Sequence, residues 1–290
     1  MDKLAIGIAR GGNIRIYSVV STKLTEEARV RHDLWPTSAA ALGRTMAVNL
    51  MMGAMSKNDK EKVSIQINGD GPIKTIMTSS SNSGNVRGYV GEPHVMLSYH
   101  DKNKLAVGLA VGSGFLNVTK SMGLKSDFVG TVDLVSGEIA EDFAYYFNVS
   151  EQTPSAVSLG VLVETDNHVQ AAGGLIIQLL PGATEEDIVA TETAFGKLLP
   201  ISTMINNGAT ARSIIEDLFE DARVLEERDV QFKCECSRQK MMNGLATLDT
   251  KELTEMIMDD EIIETVCHYC QEKYLFTPLD LQRIVDEREA

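Results

Sequence analysis

The chain has 290 residues, 43% hydrophobic and 23% charged, the profile of an ordinary globular protein of about two domains. Its 27 basic and 41 acidic residues leave a net charge of −14, which argues against the basic stripe of a nucleic-acid binder and against anionic membrane surfaces. The start Met1-Asp2-Lys3-Leu4-Ala5-Ile6-Gly7 lacks the basic opening and apolar run of a signal peptide, no stretch approaches the roughly 20 apolar residues of a membrane span, and a cytoplasmic protein is expected.

Residues 1–182 are expected to form a mixed α/β core domain. Gly11-Gly12-Asn13 reads as a turn leading into a strand over Ile14–Val20. Pro36-Thr37-Ser38 opens a helix that continues through residues 39–55, rich in Ala, Leu and Met and poor in β-branched residues. Strands are expected at residues 63–68, 73–78, 86–90, 95–99, 115–120 and 129–135, separated by turn chemistry such as Gly69-Asp70-Gly71-Pro72. Residues 137–148 read as an aromatic amphipathic helix, and residues 157–163 and 169–180 as buried strands.

Residues 183–232 read as a helical linker. Thr184-Glu185-Glu186-Asp187 supplies an N-cap and an acidic first turn ahead of Ile188, Val189, Phe195, Leu198 and Leu199. Pro200 interrupts, Asn207-Gly208 stops the helix, and Thr210 caps another that presents Ile214, Ile215, Leu218 and Phe219. Apolar faces this narrow must dock on something, because short helices are marginal alone in water.

Residues 233–290 read as a small C-terminal domain holding all four cysteines. Asp249-Thr250-Lys251-Glu252 resembles a capping box before Leu253, Met256 and Ile257. Residues 262–266 and 273–276 read as strands around a tight turn. Thr277-Pro278 begins a last helix, with Leu281, Ile284 and Val285 on its apolar face.

The cysteines are arranged as Cys234-x-Cys236 and, after residues 237–266, Cys267-x-x-Cys270. In a reducing compartment such pairs read as metal ligands or redox groups before structural disulfides. Four thiolates suit a tetrahedral zinc ion, one per chain, and a thin-cored small module is the size class that relies on such a staple. Unligated thiols are the bland alternative, and His268 is an alternative ligand. The single spacer Glu235 is short for a zinc ribbon, and a disulfide across it closes a small strained ring of the labile kind. Each pair carries its own resolving cysteine for a sulfenic acid, so both a redox switch and a static staple stay open. Structural zinc contributes about 10–16 kcal/mol to folding of small modules, while a disulfide across one or two spacers closes almost no loop and returns little. Oxidation should therefore unfold the module and deprive the connector of its support.

Other candidates weigh less. Gly112-Ser113-Gly114 is too short for a phosphate loop, and no dinucleotide fingerprint, nucleophile elbow or kinase motif is present. His32, His94, His100 and His168 suggest surface or packing roles. Glu138, Glu141 and Asp142 read as a solvated helix face before a carboxylate pair. Met46, Met51, Met52 and Met55 read as core lining.

The segment Cys267-His268-Tyr269-Cys270-Gln271-Glu272-Lys273-Tyr274, with the upstream Cys-x-Cys, resembles the bacterial redox-regulated heat-shock chaperones of about 33 kDa. Arg31-His32, Trp35-Pro36-Thr37, Ala41-Leu42-Gly43-Arg44-Thr45-Met46, Gly69-Asp70-Gly71-Pro72-Ile73, Ser136-Gly137-Glu138, Tyr145-Tyr146, Ala172-Gly173-Gly174 and Gln178 agree. The resemblance spans essentially the whole chain and implies an α+β protein with an N-terminal core, a helical linker and a C-terminal zinc domain. It further implies a non-enzymatic chaperone, inactive when reduced and zinc-bound. Oxidation would pair Cys234 with Cys236 and Cys267 with Cys270, release zinc, unfold the linker and produce a dimer. That dimer would hold unfolding client proteins without ATP, nucleic acid or membrane. No residue is assigned to client binding.

Overall fold

The computed structural model describes residues 1–58, 60–99, 104–121, 123 and 126–289. The chain divides into two units, residues 1–233 and 234–290.

The first unit is organised around one helix. Helix α2, Pro36–Ala54, is buried along almost its whole length and packs on strands of two different sheets. That placement explains its Ala- and Met-rich composition, since a helix that is apolar all round belongs inside a protein. Helix α1, Thr22–His32, precedes it. The first sheet is antiparallel, in the order β10 (Arg223–Asp229), β1 (Lys3–Ala9), β2 (Ile14–Val20), β9 (Val169–Leu179) and β8 (Ser155–Val163). The second runs β11 (Gln231–Phe232), β5 (Asn85–Val90), β4 (Thr75–Ser81), β3 (Lys62–Gly69), β6 (Gly114–Ser121) and β7 (Phe128–Asp133), with β11 parallel to β5. Buried Asn49 on α2 donates to Thr78 Oγ1 at 2.7 Å and accepts from Ser80 Oγ at 2.6 Å, so its amide is paired on β4 rather than left as a buried orphan. Short helix α3, Val107–Val111, and α4, Ala140–Val149, complete the core.

Residues 95–99 do not form the expected strand; only Ser98 makes an isolated bridge, to Leu105. This stretch pairs instead with the start of α2. Trp35 and Thr37 donate their backbone N–H groups to the Pro93 and Val95 carbonyls, and Thr37 Oγ1 exchanges hydrogen bonds with the Leu97 backbone. A helix N-terminus has unsatisfied donors of its own, and the stretch divides its backbone between them and residues 104–106, where Tyr99 N–H bonds the Lys104 carbonyl and Ala106 N–H the Leu97 carbonyl.

Helices α5 (Glu185–Gly196), α6 (Ile201–Asn206) and α7 (Ala211–Glu216) follow, with the side chains of Thr184 and Thr210 as N-caps of α5 and α7. Their apolar faces are buried on the outer side of the first sheet: Ile201, Ala211, Ile214, Ile215 and Leu218 cluster with Ala5, Ile14, Ile16, Leu175 and Ile177. Two glycines permit the approach. Gly160 and Gly173 are register partners on β8 and β9. A Cβ on Gly160 would lie 2.7 Å from Ile201 Cγ2, and one on Gly173 2.4 Å from Ile205 Cδ1 and 2.2 Å from the Val19 carbonyl oxygen. Polar contacts tie the same segment to the β1–β2 turn. Asp187 accepts from Arg10 Nε and Asn13 Nδ2, each at 2.9 Å, and Asp221 accepts from the Gly11 N–H at 3.1 Å. The segment then returns to the sheets as β10 and β11.

The second unit contains α8 (Arg238–Leu245), α9 (Thr250–Met258), the hairpin β12 (Ile263–Val266) and β13 (Lys273–Phe276), and α10 (Pro278–Glu289). Its core is small: Leu253, Leu281, Ile284 and Val285, with Met242, Leu245, Met256 and Ile257 partly buried against them.

Candidate metal centre

The β12–β13 hairpin places the second cysteine pair. Between the paired ends Val266 and Lys273, the turn is closed by Cys267 N–H to the Glu272 carbonyl at 2.9 Å and by Cys270 and Gln271 N–H to the Cys267 carbonyl. Gln271 takes a left-handed conformation, φ 61°. The fold of this turn buries Cys267 and Cys270, each 5% exposed. The first pair lies just before α8, outside any helix or strand, where Ser237 caps the helix by accepting from the Lys240 N–H. Arg238, the next residue, reaches the hairpin and α10. Its guanidinium lies 4.5 Å from the Phe276 ring centroid and donates to Asp280 Oδ2 at 2.8 Å and to the Leu275 carbonyl at 3.1 Å. One cation–π contact and one charge-assisted bond thus clamp the first cysteine segment to the hairpin that carries the second.

The result is one cluster. The four sulfurs of Cys234, Cys236, Cys267 and Cys270 all lie within 4.8 Å of one another. Cys234 and Cys267 are 3.8 Å apart and Cys236 and Cys270 3.4 Å apart, all four as free thiols. Four sulfurs placed tetrahedrally at 2.3 Å from a zinc ion would be separated by about 3.8 Å, so the donor set and its spacing fit a tetrahedral metal. Burial pushes the Cys267 and Cys270 thiols up, against backbone hydrogen bonds from Tyr269 and Glu272 that favour the thiolates. A cation reverses that balance, because a coordinated thiol is deprotonated. His268 is exposed and stands outside the cluster.

The remaining candidates fall elsewhere. His32 is buried edge-on to Phe232, His94 bonds Asp33 at 2.9 Å beside Trp35, and His168 lies 3.3 Å from Glu26. These are packing and surface contacts; His100 lies outside the described residues. Met46, Met51 and Met52 line the core as expected, with Met55 half-buried. Gly112-Ser113-Gly114 is a turn held by Asp70, which accepts from the Ser113 N–H at 2.7 Å. Only Glu141 of the three carboxylates is solvated. Glu138 gathers Arg44, Lys104, the Tyr99 hydroxyl and the Gly108 N–H. The Asp142 carboxylate is fully buried and accepts the N–H groups of residues 135, 136, 137 and 139. Both brace the loop before α4, which the helix-face reading missed. Arg238 and Tyr274 were also missed: nothing in a single sequence marks an Arg after a cap, or a strand Tyr, as a partner of a ligand.

The comparisons agree with this architecture. A family model described as Hsp33 protein matches residues 2–277. The 33 kDa chaperonin of Desulforamulus reducens is 49% identical over 99% of this chain and 98% of its own length. That of Bacillus velezensis is 45% identical over 99% of both chains. The crystal structure of the 33 kDa chaperonin (heat shock protein 33 homolog) of Thermotoga maritima superposes with a TM-score of 0.92 at 35% identity, covering 99% of this chain and 98% of that one. With a shared fold, near-complete coverage and a four-thiol cluster in its C-terminal unit, the chain belongs to the Hsp33 family, the 33 kDa chaperonins.

Proposed function

We propose that this protein is a redox-regulated holdase that binds unfolding client proteins and prevents their aggregation under oxidative stress, without ATP. The observation that carries the reading is the thiol cluster: four free cysteines within 4.8 Å, in a unit whose own core is small. Cys234, Cys236, Cys267 and Cys270 are the residues that would hold one zinc ion. Bound there, zinc would keep the four sulfurs as thiolates and link the first pair to the hairpin. Oxidation joins Cys234 to Cys236 and Cys267 to Cys270, which removes the ligand set. Disulfides across such short spacers restrain little of the unfolded chain, so residues 233–290 lose their fold.

The chain passes from β11 to Cys234 through Lys233 alone, and residues 183–232 are the segment that this loss reaches. α6 and α7 cover Ile14, Ile16, Leu175 and Ile177. Their release exposes an apolar sheet face together with their own apolar stripes, which is the surface chemistry that unfolding chains bind. The domain scheme is therefore a core at 1–182, a linker at 183–232 and a switch at 233–290. The oxidised form is a homodimer, the compartment is the cytoplasm, and neither nucleic acid nor membrane takes part.

Zinc and free thiols quantified before and after peroxide, alongside light scattering of a heat-unfolded client, test this. The expected result is one zinc and four thiols per reduced chain, loss of both on oxidation, and aggregation suppressed only afterwards. Equal suppression by the reduced, zinc-bound protein would refute it.

A further inference from the structure

Four of the chain's 13 methionines, Met241, Met242, Met256 and Met258, fall in residues 234–290. Two of them help to build the small core of that unit. Met242 on α8 and Met256 on α9 pack, partly buried, against Leu253, Leu281, Ile284 and Val285. Met258, at the end of α9, is 77% exposed and takes no part in that cluster. The methionines of α2 are placed differently: Met46, Met51 and Met52 are sealed inside the first unit. Met and Leu fill an apolar site about equally well, but only Met carries a sulfur that an oxidant turns into a polar sulfoxide. The unit that holds the thiol cluster thus has oxidisable side chains in a core with little to spare.

We propose that Met242 and Met256 form a second oxidation site of this unit: their sulfoxides hold residues 234–290 open after the thiols have been reduced again, so that the unit keeps a record of prolonged oxidant exposure. The inference rests on the reading that oxidation of the cluster unfolds this unit, and adds a slower step to it. In the folded unit both side chains are partly shielded; once it unfolds they meet solvent. The thioether sulfur then attacks one oxygen of a peroxide. The S–O bond forms as the O–O bond breaks, and sulfur gives up two electrons. The transferred oxygen passes its proton to the leaving oxygen, which departs as water or an alcohol. A neutral thioether is a weaker nucleophile than a thiolate, so this step trails the loss of the thiols. A thiol reductant and zinc rebuild the cluster but leave the sulfoxide, which needs its own reductases, one for each epimer.

Refolding must then return two polar groups to an apolar cluster. Burying a polar group without a partner costs roughly tenfold in the folded population. One sulfoxide should therefore lower the protection of the unit's amides about tenfold, and two should lower it further.

The test compares full-length, zinc-loaded wild type, the double variant Met242→Leu/Met256→Leu, and Met258→Leu. Each is treated with hydrogen peroxide either briefly, until the thiols are lost, or for longer, until mass spectrometry of its peptides shows sulfoxide. Dithiothreitol and zinc are then added, and thiols, zinc and hydrogen exchange of residues 234–290 are measured. After brief treatment all three should recover fully. After long treatment all three should regain their thiols, but wild type and Met258→Leu should keep sulfoxide at Met242 and Met256 and show amide protection about tenfold or more below the starting level. The double Leu variant should recover, and the two methionine sulfoxide reductases should restore wild type. Full recovery of wild type with both sulfoxides in place overturns the proposal. So does an equal deficit in the double Leu variant, or a deficit in wild type that persists once the reductases have removed both sulfoxides; this last comparison needs no substitution. Thiols that ignore peroxide, or a unit that stays protected when they are oxidised, refute the reading of the cluster itself.

Discussion

Ile214→Ala tests whether the docked linker is what keeps the apolar sheet face covered. Ile214 lies on α7, is fully buried, and packs in the cluster formed with Ile14, Ile16, Leu175 and Ile177. Truncating a buried Ile to Ala costs about 2–5 kcal/mol in lost transfer energy and cavity. Local opening of a peripheral segment takes less free energy than global unfolding, so the loss falls first on the segment's own opening equilibrium. A cost of 2 kcal/mol corresponds to about thirtyfold more of the open form. Native-state hydrogen exchange on the reduced, zinc-loaded protein reads this directly. Amides of α6 and α7 should lose about thirtyfold or more in protection, while those of α2, held between two sheets, lose far less. The variant should also suppress client aggregation at a lower peroxide dose. Val189→Ala, at a half-exposed position on α5, is the control and should change neither. Equal loss of protection in α2 and α7 would show that the linker opens only with the whole unit. Lost protection in α7 with an unchanged peroxide requirement would separate linker opening from activation and refute the reasoning.

Two further outcomes follow from the site and the core. Cys267→Ser should abolish stoichiometric zinc binding, and limited proteolysis of the reduced variant should cut first within residues 234–290; wild-type resistance there would count against the cluster as the unit's staple. Glu138 is opposed by burial but held at about 2 by the Tyr99 hydroxyl, Arg44 and Lys104, below the ordinary 4.5. Its contribution, roughly 3 kcal/mol, is therefore present above about pH 4.5 and lost as the pH falls towards 2. Denaturant titrations should show Glu138→Gln less stable than wild type at pH 7, with the gap closing below pH 3; a gap independent of pH would refute the linkage.

The grouping of the four cysteines was legible because residue type and spacing are properties of the sequence itself, and the structure brings their sulfurs together. The hairpin around the second pair and the caps at Thr184, Thr210 and Asp249 were legible for the same reason: each is a local interaction within a few residues. What escaped depends on distant partners. Helix α1 buries Leu24, Thr25, Ala28 and His32, a face too small and polar to stand out. Strand β1 pairs with its neighbour β2 and also with β10, which comes from the far end of the unit. β10 itself, Arg223–Asp229, is charged along an edge, which keeps sheets from joining but hides the strand pattern. Residues 95–99 carry strand-like side chains whose backbone is shared between the start of α2 and residues 104–106. Asp142 looked like one more acid on a helix surface, yet it gathers four N–H groups of a loop whose course the sequence does not disclose.

The two units differ in what they need in order to stay folded, and that difference separates metal loss from disulfide formation. Residues 1–233 bury α2 between two extensive sheets, a core that needs no ion. Residues 234–290 bury few large side chains, chiefly Leu253, Phe276, Leu281, Ile284 and Val285, against the conformational entropy of ordering the whole segment. With about 10–16 kcal/mol from a bound structural metal the balance is favourable, and without it the segment should unfold whether or not a disulfide forms. A chelator under reducing conditions isolates the first event. Amides of residues 234–290 should lose protection as zinc is withdrawn, those of α2 should keep theirs, and added zinc should restore the original pattern. Peroxide-treated protein should show the same loss but regain protection only with reductant and zinc together. If the chelated, reduced unit stays protected, its fold does not depend on the metal. The free energy that oxidation releases would then have to come from the disulfides themselves, which their short spacers argue against.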